Sequence, residues 1–264
     1  MSNRFKRSMA VWWLAFSAAP LTAWRALRDL LCGKFVRGWN TLHRAAASDP
    51  GYYSSWILVS EASAVADWQS RFPAAPETVK PRIGLVPLSS GAINQDDIEA
   101  LLEALSSRAV PIPHGSAAQV LDTCQVLDCN WLMPFEPATR LSPHAAVVID
   151  IALANTTSDV VYWDHDTLAG GTRENPVLKP AWDPLLQAGF DVLAGASMVR
   201  CDAIDRHRDA LKGVSITDLA ARIAMLSNAA PMRVPLVLAH LPEVFTIQAR
   251  QRSLPLRNCA FPGV

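Results

Sequence analysis

The apolar run Val160-Val161-Tyr162-Trp163 ends in Asp164-His165-Asp166, two carboxylates one residue apart. A short apolar run closed by charge reads as a buried strand, and its polar end as the rim of a sheet. In open α/β sheets ligands bind outside the carboxyl ends of the strands, so this rim is where function is expected. Side chains alternate along an extended chain, which puts Asp164 and Asp166 on one side and His165 on the other. Paired carboxylate oxygens suit a hard divalent cation such as Mg²⁺ or Mn²⁺ and leave positions open for phosphates. The triplet also fits a polar turn whose carboxylates cap backbone amides.

The flanking pattern predicts alternating strands and helices. Ile83 to Leu88 reads as a first strand, and Gln95 to Ser107 as a helix with Ile98, Leu101, Leu102 and Leu105 on one face. Val120 to Val126 fits either type, whereas Trp131 to Phe135 is a short buried strand. Ser142-Pro143 is a cap followed by proline at the first helical position, opening a helix to about Asn155 with Ala145, Val148, Ile149 and Ala152 inward. Thr167 to Gly189 reads as a long loop hinged at Gly170-Gly171; loops beyond about 12–15 residues are usually functional or disordered. Val192 to Val199 reads as another strand, and Ser215-Ile216-Thr217-Asp218 as a capping box for a helix to about Leu226. The whole implies a mostly parallel, three-layer α/β sheet.

Composition narrows the setting. A chain of 264 residues, half of them apolar, buries one substantial core. Its charged fraction of 18% lies below the roughly one quarter of an average globular protein, which fits a partly membrane-associated life. A formal net charge of zero argues against a nucleic-acid surface. Cys32, Cys124, Cys129, Cys201 and Cys259 show no paired C-x-x-C spacing, so reduced thiols in the cytoplasm are expected.

The first 70 residues form a basic, apolar arm, divided by the proline-containing segment Arg71 to Glu77 from a domain over residues 78–264. Arg4, Lys6 and Arg7 precede an apolar stretch from Met9 to Trp24, and Arg25, Arg28, Lys34 and Arg37 follow it. Three readings share that layout: a signal peptide, a helix packed on the protein's own surface, or an interfacial helix. The last sends Trp12, Trp13, Leu14, Phe16, Leu21 and Trp24 into the acyl boundary, as a peripheral contact on the inner face of the plasma membrane.

The ordered series of landmarks resembles the family 2 glycosyltransferases of bacterial surface polysaccharide assembly. Tyr162 to Asp166, then Arg173, then Leu178-Lys179-Pro180-Ala181-Trp182-Asp183-Pro184-Leu185-Leu186 is similar to that family's "Y-x-D-E-D", arginine and "F-K-P-x-W-x-P-x-L-L". Trp131 to Ala145 resembles its "f-L-D-x-D-D-x-L-x-P-x-A" run, Gly195 to Ala203 the strand after the acceptor loop, Asp218 to Arg222 its "D-L-a-x-R", and Val237 to His240 its "v-L-y-H". Tyr53 to Trp56, with Glu61, is similar to the "Y-x-x-W…E" ahead of the catalytic domain.

The resemblance implies a GT-A-like fold, a nucleotide-sugar donor, a glycan or lipid-linked acceptor of the cell surface, and a hexosyltransferase type of reaction. It implies Asp164, Asp166 and His240 as ligands of a Mg²⁺ or Mn²⁺ ion, with Glu136, Arg173, Lys179 and Trp182 at donor or acceptor, and Asp218 or Asp183 as the base. The chain departs from the family at Pro137, Ala138 and Thr139 in the acidic run, in the acid-free Arg108 to Ser116, and at Ile216 in the usual base position. Those departures support an alternative, a catalytically inactive glycosyltransferase-like protein that serves as a binding or scaffolding partner. A third reading is a metal-dependent phosphatase or nuclease built on Asp164 and Asp166.

Overall fold

The computed structural model describes residues 3–73, 80–89, 94–106 and 108–242, with side chains from residue 8 onward. Contacts divide the chain into two compact units, Met1–Trp68 and Gln69–Val264.

The first unit is helical: α1 (Asn3–Ala18), α2 (Pro20–Leu31), α3 (Phe35–Ala46), α4 (Tyr52–Trp56), a π-helical turn Ile57–Glu61 and α5 (Ala62–Gln69). Proline opens α2, where its missing N–H has no helical partner to lose. Gly33, at φ +76°, turns the chain into α3, a backbone position that favours glycine. Gly38 lets α2 and α3 close up, since a Cβ there would meet Leu30 Cγ at 2.7 Å. Leu14, Ala15, Ala23, Ala26, Leu42, Ala45 and Ala46 form the core of this unit, with Trp12 and Phe16 against it. Of the residues expected to enter a membrane, Trp12, Leu14 and Phe16 therefore face the unit's own interior, while Trp13, Leu21 and Trp24 are exposed. The side chains of Arg4, Lys6 and Arg7, and residues 74–77 of the expected linker with the two after them, lie outside the described residues. Among the described residues no helix is long and apolar enough to cross a membrane.

The second unit is α/β. Its elements are β1 (Ile83–Pro87), α6 (Gln95–Ala104), β2 (Ala109–Pro111), α7 (Ala117–Val126), β3 (Trp131–Phe135), β4 (Arg140–Leu141), α8 (Ala145–Ala154), β5 (Val160–Ala169), β6 (Thr172–Val177), α9 (Pro184–Gly189), β7 (Ser197–Arg200), α10 (Cys201–Arg206), a 3₁₀ turn Arg208–Leu211, α11 (Ile216–Leu226) and β8 (Met232–Leu241). The strands lie in the order β2-β1-β3-β7-β5-β8-β4, with β6 paired to β5. β1, β2, β3, β5 and β8 run one way and β4, β6 and β7 the other, a mixed, mostly parallel sheet. Val148, Ile149 and Ala152 of α8 and Leu219, Ala220 and Ile223 of α11 are buried, the inward stripe of an amphipathic helix.

Several expectations change. β5 does not end at Trp163; it continues through Asp164, His165 and Asp166 to Ala169, so the carboxylates lie inside a strand rather than on its rim. The expected long loop is a hairpin followed by α9. Gly170 and Gly171, both at positive φ, make the two-residue turn that lets Thr172 pair with Ala169. Val192 to Ala196 is no strand: its backbone is bound by side chains, Val192 N–H donating to Gln187 Oε1 and the carbonyls of Ala194 and Ala196 accepting from Lys179 Nζ. The helix after Ser142-Pro143 starts at Ala145, because the Ser142 amide prolongs the β4–β8 ladder by donating to Leu238 O. Val120 to Val126 belongs to α7, opened by a reciprocal Ser116–Gln119 capping box.

Gln187 is fully buried, donates to Asp191 and accepts from the Val192 amide. Gln187→Ala leaves the buried Val192 amide unmatched, while Asp191 keeps its bond from the Leu193 amide, and a urea titration is expected to show about 1–3 kcal/mol lost. An unchanged midpoint would mean that Gln187 does not fasten this segment.

Candidate functional site

The parallel pairing of β5 with β8 places Asp166 opposite His240, and the antiparallel pairing of β4 with β8 places Arg140 opposite the same histidine. A row of polar residues thus crosses three strands. Asp166 is fully buried; the His240 ring donates from Nδ1 to Asp166 Oδ1 at 2.5 Å, and Arg173 Nε donates to Asp166 Oδ2 at 2.7 Å. The glycine turn brings Arg173 there, by folding β6 back along β5. The β5–β8 ladder is bulged at Asp164, opposite the stretch of β8 that contains Pro235, a residue with no amide to give to a ladder.

Asp164 accepts from the Lys179 amide at 2.8 Å and from Arg233 at 3.4 Å. Burial raises its pKa, against the pull of that amide and of Arg233. Lys179 is buried, and its ammonium donates to Ala194 O at 3.1 Å and Ala196 O at 3.4 Å. Burial lowers its pKa to about 7, opposed by the charges of Asp191 and Asp164. Burial also raises the pKa of Asp191, with repulsion from Asp218 adding to the rise. Asp164, Lys179, Asp191 and Asp218 therefore form a run of charges that feel one another through the interior.

The remaining expected residues have visible work. Glu136, half-buried, opens the turn after β3, where Ala138 holds φ +65°, rare for a residue with a side chain. Asp97 of α6 braces that turn: Oδ2 accepts from the Ala138 amide at 3.0 Å and Oδ1 pairs with Arg140 at 2.9 Å. Trp182 packs on the core cluster to which Tyr162 belongs, and the Tyr162 hydroxyl donates to Pro180 O at 2.8 Å. Asp183 is exposed and caps α9, accepting from the Leu185 and Leu186 amides through one oxygen. That oxygen is committed to the helix. Asp218 is half-buried in the first turn of α11 and exchanges hydrogen bonds with the cap Ser215; Ile216, at the family's usual base position, is buried.

These residues do not fit a resident divalent ion. Asp164 and Asp166 are each matched by protein cations, His240 turns Nδ1 to Asp166, and no group of three or more His, Cys, Asp or Glu among the described residues is placed to hold a metal. Cys201 does come alongside Cys124 and Cys129 in the core, as three free buried thiols. Asp97, Asp191 and Arg233 escaped the sequence reading. The available signal was charge inside apolar segments, since a buried ion needs a partner.

Two cavities are lined by residues outside this cluster. One of ≈ 580 Å³ is inside the helical unit, lined by Trp39, His43, Tyr52 and Trp56 among others. The other, ≈ 490 Å³, lies before the amino end of β5, around Thr156, Asp159, Arg200 and Arg206. No protein-family model matches this chain, and no curated protein matches it significantly.

Lys179 makes stability depend on pH. Its folded pKa of about 7 lies below that of a free lysine, so unfolding takes up a proton between the two values and stability rises with pH across that window. Relative to Lys179→Met, the native protein is expected to gain up to about 1.4 kcal/mol per pH unit above neutrality, and nothing below it. Urea melts of both proteins from neutral to alkaline pH check this; parallel curves would show that the ammonium is not desolvated.

Proposed function

We propose that the second unit is a GT-A-like glycosyltransferase that moves a sugar from a nucleotide-sugar donor to a cell-surface polysaccharide or lipid-linked acceptor. The observation that supports this most is convergence. Asp164, Asp166, Arg173, Lys179 and His240 come from four landmarks of the resemblance, and they meet across β5, β6 and β8 beside the Glu136 to Arg140 turn. The mostly parallel sheet agrees with that fold. In such a transfer the acceptor hydroxyl attacks the anomeric carbon, the bond to the diphosphate breaks, and a carboxylate takes the hydroxyl proton. Asp218 suits the last task better than the cap Asp183. Charge on the departing diphosphate falls to arginines at the cluster, Arg140, Arg173 and Arg233, which act there in place of a metal ion.

The inactive, partner-binding reading has its own support. The ion pairs of Asp164 and Asp166 are complete without a ligand, and Ile216 cannot accept a proton.

Calorimetric titration with UDP, GDP and dTDP, with and without Mn²⁺, separates the two. The transferase reading expects one nucleotide to bind, Mn²⁺ to change the affinity less than about tenfold, and Arg173→Ala to weaken it by about tenfold or more. Binding of none of the three overturns the transferase reading and leaves the partner-binding one.

A further inference from the structure

The α2–α3 hairpin of the helical unit ends in an apolar tip. Leu31, Phe35 and Val36 are 80, 70 and 78% exposed, and every residue from 31 to 37 lies on the surface. Leu21 and Trp24 face outward further along α2. Apolar area left in water forgoes about 25 cal/mol per Å² of burial, so a cluster of large side chains on one turn marks a surface built to be covered.

The charges around the tip identify the cover. From Pro20 to Ala46 the chain has five basic residues, Arg25, Arg28, Lys34, Arg37 and Arg44, and one acid, Asp29. Asp29 is buried, and Arg28 and Arg37 neutralise it from either helix while their own side chains stay 70% exposed. The hairpin therefore presents apolar groups ringed by cations and no exposed carboxylate. A second copy would bring the same cations to the contact, so self-association is opposed. α1, the helix that hydropathy favours, has turned Leu14 and its neighbours into the unit's own core.

We propose that this hairpin tip docks on an anionic phospholipid bilayer, with Leu31, Phe35 and Val36 in the acyl boundary and Arg28, Lys34 and Arg37 at the head groups. Cys32 reports on it directly, being an exposed thiol at the tip while Cys124, Cys129 and Cys201 are buried. The full chain, with Cys259→Ser because that residue lies outside the described ones, is labelled at Cys32 with a polarity-sensitive fluorophore. It is then mixed with vesicles of phosphatidylcholine alone or with phosphatidylglycerol added, and bound protein is also measured by sedimentation.

The expected result is a blue shift and co-sedimentation with the anionic vesicles only, reversed by salt. Unlabelled Leu31→Ser/Phe35→Ser/Val36→Ser is expected to lower the bound fraction by about tenfold, and Lys34→Glu to lower it as well. Val126→Ser, at an exposed apolar residue of the other unit, is expected to leave it unchanged. Circular dichroism confirms that the variants keep their helices. Equal binding to both vesicle types, no binding to either, or full binding by the triple variant overturns the proposal. So does a blue shift that grows with protein concentration in the absence of vesicles, which would mark a second copy as the cover.

Discussion

Two carboxylates buried inside one strand constrain everything around them. An ionised carboxylate taken out of water without partners is prohibitively unfavourable, so Asp164 and Asp166 oblige the surrounding chain to supply donors. Four residues answer: Arg173 from the hairpin, the amide of Lys179 from the stretch after it, and Arg233 and His240 from the two ends of β8. Each answer fixes a piece of backbone. The hairpin must fold back, Lys179 must lie beside Asp164, and β8 must adopt one register, since a slip of one residue would turn His240 to the other face.

Lys179 extends this logic a layer further. Its amide serves Asp164 while its ammonium binds two carbonyls of the turn ahead of β7, so one residue joins the middle of the sheet to a neighbouring loop. Gln187 completes the join from α9 by holding Asp191 and the Val192 amide. An apolar run such as Val192 to Ala196 normally forms a strand because its backbone groups need partners; here side chains provide them, and the strand starts later.

Local signals were legible wherever local physics decides. The Ser215 cap of α11, the inward face of α8 and the buried β1 and β3 all follow from periodicity and capping chemistry within a few residues. The hairpin was not, because Thr172 to Pro176 is largely exposed and carries the polar composition of a loop; only pairing with the far half of β5 makes it a strand. The site was half legible. A family-like series pointed to Asp164, Asp166, Arg173, Lys179 and His240, yet which partner each takes depends on residues about seventy positions away, as with Arg233 and Asp164. In the helical arm, hydropathy located the apolar surplus but not its division, since which of Trp12 and Trp13 faces water is set by packing against α3.

The place of β8 in the sheet has a consequence for synthesis. It lies between β5 and the edge strand β4, two strands made long before it, so on a ribosome the sheet must wait with a gap beside β5. Until β8 emerges, β5 offers a bare hydrogen-bonding edge that carries Asp164 and Asp166. Buried charge then acts as a gatekeeper during translation: the two aspartates keep the waiting edge soluble and unattractive to other chains, and β8 completes their neutralisation with Arg233 and His240 as it closes the fold.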